Sequence, residues 1–168
     1  MVKSKFQVFL GLLVAATALF VLYQHYFPNP EKVIRNRLLQ LAAAVSAPVP
    51  ESTAVTLVAA DRLRDFLASE VVVEADGPKG NREIFSGRQE VLQAAIAGRK
   101  LVRSLRVEFS GINIRIAPDR LTATAELTAR VTQDGDQEYT VQEFKMELRQ
   151  EDHKWRITRA ESVRTLRL

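Results

Sequence analysis

Residues 101–131 read LVRSLRVEFSGINIRIAPDRLTATAELTARV, and the alternation of apolar and polar side chains along them decides the predicted fold. A period of two is typical of β-strands with one buried face. Apolar residues occupy odd positions up to Phe109 and even positions from Ile112, and Gly111 lies between the two rows. A change of parity at a glycine predicts a β-bulge, which bends a strand. We therefore expect one long, bent strand in the first half of this stretch.

The same pattern predicts three further strands downstream. Their expected inner rows are Leu121, Ala123, Ala125, Leu127, Ala129 and Val131 on the next strand, Phe144, Met146 and Leu148 on the following one, and Trp155 and Ile157 at the start of the last. Asp134 and Gly135 supply a hairpin turn between the first two of these strands.

The residues before position 101 predict helices and two short strands. Asn29 can cap a helix whose first position is Pro30. The apolar stripe of that helix is Ile34, Leu38, Leu41 and Val45. We also expect a helix at about residues 52–68, strands at 71–75 and 82–85, and a helix that opens with a capping box of Ser86 and Gln89 and closes at Gly98. Helices followed by antiparallel strands predict an α+β fold with the helices on one face of the sheet.

Composition and charge exclude several classes of function. The chain has no cysteine, which excludes disulfides, thiolate zinc sites and cysteine nucleophiles. The net charge is +4, but the arginines do not form a compact stripe with interleaved aromatics, so no nucleic-acid partner is expected. These scattered arginines are Arg62, Arg88, Arg103, Arg115, Arg130, Arg149 and Arg164.

Residues 6–27, FQVFLGLLVAATALFVLYQHYF, predict a transmembrane helix. None of these side chains is charged at neutral pH, and as a helix the segment is about 33 Å long, enough for a bilayer core. It begins at Phe6, and Tyr23, Tyr26 and Phe27 stand at its far end, where aromatic rings favour the headgroup layer. A cleaved signal peptide would have a shorter apolar run ending at small residues, so we expect an uncleaved anchor.

The expected organisation is a basic tail at residues 1–5, the anchor at 6–27 and one domain at 28–168. Positive charges flank the anchor on both sides, so the positive-inside rule is nearly balanced. A short basic tail before a first apolar helix usually stays in the cytoplasm. We therefore expect a single-pass membrane protein whose domain is periplasmic or otherwise extracytoplasmic.

Several segments resemble the nuclear transport factor 2-like (SnoaL-like) superfamily. They are LASEVVVEADGP and IFSGRQEVLQAAIAG, followed by the late-strand segments DRLTATAELTARV and KWRITRAESVRTL. The order of the predicted elements matches as well, over about residues 30–168. The resemblance implies a bent sheet wrapped by helices around a conical pocket.

The resemblance also implies where chemistry would be expected. Enzymes with this fold, such as ketosteroid isomerase and scytalone dehydratase, place Asp, His or Tyr in the pocket for acid–base work. Here His153 falls in the turn before the last strand and Tyr139 at a strand start, and no His–Asp pair has a suitable spacing. We therefore expect no catalytic residues, no cofactor and no metal ligands.

Strand parity indicates the candidate pocket residues. Gln142 shares the parity of Phe144 and Met146. Arg159 and Glu161 share that of Trp155 and Ile157, so this charge pair would line the pocket together with Trp155. The alternative is a second bulge near Arg159 that turns both charges outward and brings Ala160 and Ser162 inside, since buried charges are costly.

Three functions remain open at this point. The first is a non-catalytic envelope protein that uses its domain for protein interaction or assembly, as does the periplasmic scaffold subunit of type IV secretion systems, which also has a membrane helix and this fold. The second is an enzyme and the third a binder, each acting on a small apolar ligand in the pocket. The expected partners are the lipid bilayer and a protein or a second copy of the chain.

Overall fold

The computed structural model describes residues 29–46, 58, 61–76, 81–102, 104–133 and 139–163. Its elements are α1 (Pro30–Val45), β1 (Leu67–Asp76), β2 (Arg82–Ser86), α2 (Arg88–Arg99), β3 (Leu105–Ile116), β4 (Thr122–Gln133), β5 (Tyr139–Glu151) and β6 (Lys154–Val163). The strands form one six-stranded sheet in the order β2-β1-β6-β5-β4-β3. Residues 58 and 61–64 are also helical. The predicted α+β class is confirmed.

Three predictions fall wholly or partly outside the described residues: the anchor at 6–27, the Asp134–Gly135 turn and the first half of the helix at 52–68. Among the residues that the structure describes, no helix is both long and apolar enough to cross a membrane.

Helix α1 begins as its sequence predicts. The Asn29 side chain accepts a hydrogen bond from the Glu31 N–H at 3.0 Å, and Pro30 takes the first helical position. Ile34, Leu38 and Leu41 are buried in the core. Just beyond the helix, the Ser46 hydroxyl oxygen accepts the Val107 N–H at 2.8 Å, which ties the end of α1 to β3, one of the two edge strands.

The bulge in β3 is confirmed at Gly111. Ser110 pairs with Thr128 and Asn113 with Glu126, so two residues of β3 stand opposite one residue of β4. Gly111 has φ 60°, a left-handed conformation that favours glycine. The inner row of β3 therefore changes parity and follows the bend of the sheet.

A second bulge lies in β6 and decides which residues face inward. Leu148 pairs with Ile157, but Glu147 pairs with Arg159, so Thr158 is the extra residue. Trp155 and Ile157 are buried before the bulge, and Ala160 and Ser162 after it. The alternative with a second bulge is therefore the correct one.

Strand β1 begins earlier than predicted, and the helix before it ends earlier. Asp65 and Phe66 form a turn, and Leu67 already belongs to the sheet. There Leu67 pairs in parallel with Ile157, and the Phe66 carbonyl accepts the Ile157 N–H at 2.8 Å. The predicted helix to residue 68 is wrong because pairing with a distant strand outweighs the local helical pattern.

The predicted ends of the next helix are also wrong. Gly87, not Ser86, is the N-cap of α2, and it makes no side-chain cap. The helix starts one residue later than expected, so the Glu90 carboxylate, not Gln89, reaches back to accept the Ser86 N–H at 2.9 Å. The helix continues through Gly98 to Arg99.

Leu121 does not belong to the inner row of β4. It lies in the turn between β3 and β4, and 53% of its surface is exposed. The Asp119 carboxylate accepts the N–H groups of Leu121 and Thr122 at 2.9 and 3.0 Å, which holds the turn closed until β4 begins. Ala123, Ala125, Leu127 and Ala129 are buried as predicted, and Val131 at the end of the row is partly buried.

Candidate functional site

The inner face of the sheet contains most of the predicted pocket residues, but it is largely closed by the core. Met146 and Trp155 are almost fully buried and belong to one hydrophobic cluster with Ile34 and Leu38 of α1. Phe144 is partly buried at the margin of this cluster. Met146 and Trp155 therefore act as packing residues in this structure.

Gln142 lies beside this cluster at the far end of β5. It shares the inner face with Phe144, and it pairs across the sheet with Ala129. Its side-chain amide donates to the Val163 carbonyl at 2.9 Å and to the Glu143 carbonyl at 3.3 Å. The amide group is thus oriented by the backbone at the end of β6.

Ser162 is the buried polar side chain of the inner face. It is 3% exposed and pairs across the sheet with Phe144. Its hydroxyl is enclosed yet has no hydrogen-bond partner within the described chain. Leaving a buried hydroxyl unpaired costs about 1–3 kcal/mol, so this group is able to gain from a ligand or a water molecule. Its only signal in the sequence was the parity that follows a second bulge.

Arg159 and Glu161 do not line the inner face, because the β6 bulge turns them outward. The Arg159 guanidinium contacts the Glu74 carboxylate and lies 3.6 Å from that of Glu161. The outer charge ladder formed here consists of Arg82, Glu74, Arg159, Glu161 and Lys145, spread over β2, β1, β6 and β5. It braces the outer face of four neighbouring strands.

The ion pairs around Asp65 tie the helices to the last strand. Asp65 accepts hydrogen bonds from Arg37 at 2.7 Å and from Lys154 at 2.9 Å, and these lower the pKa of its carboxyl to about 2. The Arg37 guanidinium also lies over the Phe66 ring, 4.3 Å from its centroid.

Two further shifted groups lie at the surface. Hydrogen bonds from the Ser69 hydroxyl and from Arg149 lower the pKa of Glu70 to about 2. The backbone N–H groups of Leu121 and Thr122 lower the pKa of Asp119.

A general acid or base would instead have its pKa moved toward the working pH. In the described ranges, every carboxyl with a clear shift has its pKa lowered and stays ionised at neutral pH. These pKa values are typical of structural ion pairs and turns.

The remaining acid–base candidates lie away from the inner face. His153 is exposed in the turn between β5 and β6, as predicted, with φ 61°. Tyr139 is 56% exposed on the outer face, with the Arg130 guanidinium 4.5 Å above its ring. The part of the chain that the structure describes contains no group of three side chains able to hold a metal ion.

Open grooves also occur on the surface. One of about 590 Å³ includes Arg115, Thr124 and Arg149. Both arginines in it are already paired with carboxylates, Arg115 with Glu126 and Arg149 with Glu70, so the groove offers little free positive charge.

Comparison with solved structures defines the class of fold. One match is a proposed scytalone dehydratase from Novosphingobium aromaticivorans, with a TM-score of 0.63, 11% identity and coverage of 81% of this chain and 84% of the other. A proposed dehydratase of the NTF2-like family from Streptomyces avermitilis gives a TM-score of 0.61 at 12% identity, covering 82% of this chain and 97% of the other.

A third match carries no assigned activity. It is an NTF2-like protein of unknown function from Pseudomonas putida, with a TM-score of 0.60, 11% identity and coverage of 83% of this chain and 91% of the other. The chain therefore has the cystatin-like fold of NTF2-like proteins. No protein-family model matches the sequence. No curated protein matches it either. At these identities the similarity establishes the fold and leaves the activity open.

Proposed function

We propose that this chain is a membrane-anchored protein whose NTF2-like domain serves protein interaction or assembly and not catalysis. The anchor is the apolar segment at residues 6–27, which is long enough to span a bilayer. The proposal that the domain is not catalytic rests on which side chains form the inner face of the sheet. Within the described residues, the polar side chains that the strand register places on this face include the amides of Gln142 and Gln150, the Ser162 hydroxyl and, near the β2 edge, the Glu83 carboxylate, but no His–Asp pair.

The proposed contact surface is the Tyr139 patch, which consists of Arg130, Tyr139, Val141 and Val163. Tyr139, Val141 and Val163 are large and exposed on the outer face of β5 and β6. Arg130 stands opposite Val141 and stacks on the Tyr139 ring. Tyrosine and arginine are enriched at the centres of protein interfaces.

Arg130 is the charged residue of the patch, and it is the reason to expect a carboxylate in the partner. It stacks on the tyrosine ring and stands opposite Glu108 on β3. Glu143 takes the outward position after Val141 on β5, opposite Val163. A partner that supplies one carboxylate to Arg130 and apolar side chains to Val141 and Val163 would complement the patch. We propose an acidic segment of another envelope protein as the occupant.

Photo-crosslinking in cells tests this proposal. A benzophenone amino acid at position 141 of the full chain should crosslink to one other protein, whereas the same group at exposed Gln93 on α2 should not. Arg130→Glu should abolish the crosslink, because the reversed charge repels an acidic partner. Crosslinking from position 141 only to a second copy would replace the partner by a homo-oligomer, and no difference between positions 141 and 93 would remove the patch from the proposal.

A small-molecule binder is the second candidate, and the unpaired Ser162 hydroxyl is the observation that favours it. The ligand would be small and apolar, with one polar group placed between Ser162 and Gln142. Native mass spectrometry of the purified full chain should then reveal a bound small molecule that Ser162→Ala loses. A ligand-free spectrum for the unmodified chain would count against this candidate.

A further inference from the structure

Helix α1 has a defined direction relative to the sheet. Its end is tied to the start of β3, since Ser46 accepts the Val107 N–H at 2.8 Å. Its middle is tied to the start of β6, since Arg37 and Lys154 share the Asp65 carboxylate. The helix therefore runs antiparallel to β3, and its first residue points toward the end of the sheet where β3 stops and β6 begins.

Two hairpin turns lie at that same end. The β3–β4 turn occupies residues 117–121 and the β5–β6 turn residues 152–153. The Gln150 N–H donates to the Leu121 carbonyl at 2.7 Å, which holds the end of β5 beside the first turn. We call this region the turn end of the domain: Asn29, the β3–β4 turn and the β5–β6 turn.

The length of chain before α1 places the turn end close to the predicted anchor. Only Pro28 separates Phe27 from Asn29. Two peptide steps span at most about 7 Å, so the domain cannot stand away from the membrane. We propose that the turn end lies on the headgroup layer of the bilayer, with Leu121 inserted into it. This inference rests on the anchor in the proposed function.

The chemistry of the β3–β4 turn suits such a position. Pro118 and Leu121 are exposed beside Arg120, whose long side chain is able to keep its charge in the headgroup layer while its stem lies among apolar groups. The Asp119 carboxylate accepts hydrogen bonds from both the backbone and the Thr122 hydroxyl. Its charge is therefore directed into the turn.

The net charge of the turn end is nearly balanced. The turn end contains Arg120, Asp119 and Asp152, and Glu31 and Lys32 lie next to it in the first turn of α1. Docking is therefore expected to depend on the tether and on apolar insertion, and to occur on zwitterionic lipid.

This orientation also determines where a partner approaches. Tyr139 and Val141 lie at the start of β5, and Val163 at the end of β6. Both positions are at the opposite end of the sheet from the two hairpin turns. The Tyr139 patch therefore faces away from the bilayer.

Single-cysteine labelling tests the orientation without background, because the chain has no cysteine of its own. The full chain carrying Leu121→Cys, Pro118→Cys or Asn81→Cys would be reconstituted into phosphatidylcholine vesicles and labelled with a thiol-reactive fluorophore. Asn81 precedes β2, at the end of the sheet remote from the turns, and serves as the control. Nitroxide attached to the lipid headgroup should quench the fluorophore at positions 118 and 121 several-fold more than at position 81. The Pro118 variant retains Leu121, so it reports the orientation even if removal of the leucine weakens insertion.

Flotation of the same vesicles separates two kinds of failure. If the protein floats with the vesicles but quenching is equal at the three positions, or stronger at position 81, the orientation is wrong and the anchor stands. If the protein does not float, the anchor fails and the orientation with it.

Discussion

Replacing Ser162 by alanine is expected to stabilise the domain. The Ser162 hydroxyl is buried and has no hydrogen-bond partner in the described chain, so it loses its hydration on folding without compensation. The cost of such a group is about 1–3 kcal/mol, and its removal leaves only a small void. Ser162→Ala should therefore raise the free energy of unfolding by about 1 kcal/mol, which corresponds to an increase of about 3–4 °C in the melting temperature of a domain of roughly 140 residues.

The chain provides its own probe for this measurement. Trp155 is the single tryptophan and is 3% exposed, so its fluorescence reports unfolding of the core of the domain in the detergent-solubilised full chain. Ser110→Ala is the matched control, because Ser110 is exposed on β3 and its hydroxyl makes only a long contact of 3.5 Å to the Thr128 carbonyl. Its effect should stay within about 0.5 kcal/mol.

The opposite result for Ser162 would be informative. If Ser162→Ala lowers the unfolding free energy by more than about 1 kcal/mol relative to the Ser110 control, the hydroxyl has a hydrogen-bond partner in the folded protein. The reasoning from an unpaired group would then be refuted, and the inner face would hold a ligand or an ordered water molecule that pairs with the hydroxyl.

Three further predictions concern the core and the ion pairs. Trp155→Ala should lower the unfolding free energy by about 3–5 kcal/mol, because it leaves a cavity in the core. Tyr139→Ala is the control and should cost far less, because Tyr139 is exposed. Equal effects of the two variants in denaturant unfolding would contradict the burial of Trp155. Arg159→Met and Glu161→Leu should each cost about 1 kcal/mol, because Glu74 keeps Arg82 when Arg159 is lost and Arg159 keeps Glu74 when Glu161 is lost, and the double variant should show no rescue; a costly single change that the double variant recovers would place the pair in a buried site. The pKa of Asp65 is lowered in the folded protein to about 2 from 3.8, so its contribution to stability is present above about pH 4 and lost as the pH falls toward 2. Asp65→Asn should therefore reduce the fall in melting temperature between about pH 4 and pH 2. If the melting temperature of the variant falls over this range as steeply as that of the unmodified chain, the ion pairs of Asp65 with Arg37 and Lys154 do not contribute to stability.

The parts of the fold that follow from local rules are predictable from the sequence. The first N–H groups of a helix have no hydrogen-bond partner within the helix. At the start of α1, the Asn29 side-chain oxygen accepts one of these N–H groups, and Pro30 has no N–H that needs a partner. Gly111 marks the β3 bulge because glycine adopts a positive φ at low cost. In both cases the cause lies within a few residues of the effect, and the structure has both features where the pattern predicts them.

The candidate site is less predictable, since it depends on which face each residue of β6 occupies. A period of two assigns residues to the two faces only within an uninterrupted strand. The bulge at Thr158 contains no glycine, so the sequence does not mark its position. Odd-numbered residues face inward up to Ile157, and even-numbered residues face inward after the bulge. Arg159 is therefore an outer residue, and Ser162 is an inner one.

The sequence by itself determined the class of fold, the first helix, the bent strand and the burial of Trp155, because periodicity, caps and glycine act locally. Only the tertiary structure decided that Leu67 enters the sheet, that Arg159 and Glu161 face outward and that the Ser162 hydroxyl is enclosed without a partner. Leu67 owes its position to the parallel pairing of β1 with β6, strands separated by most of the domain, and Arg159 owes its position to the bulge at Thr158. The free energy of such a pairing depends on residues far away along the chain, and therefore no local window of sequence contains it.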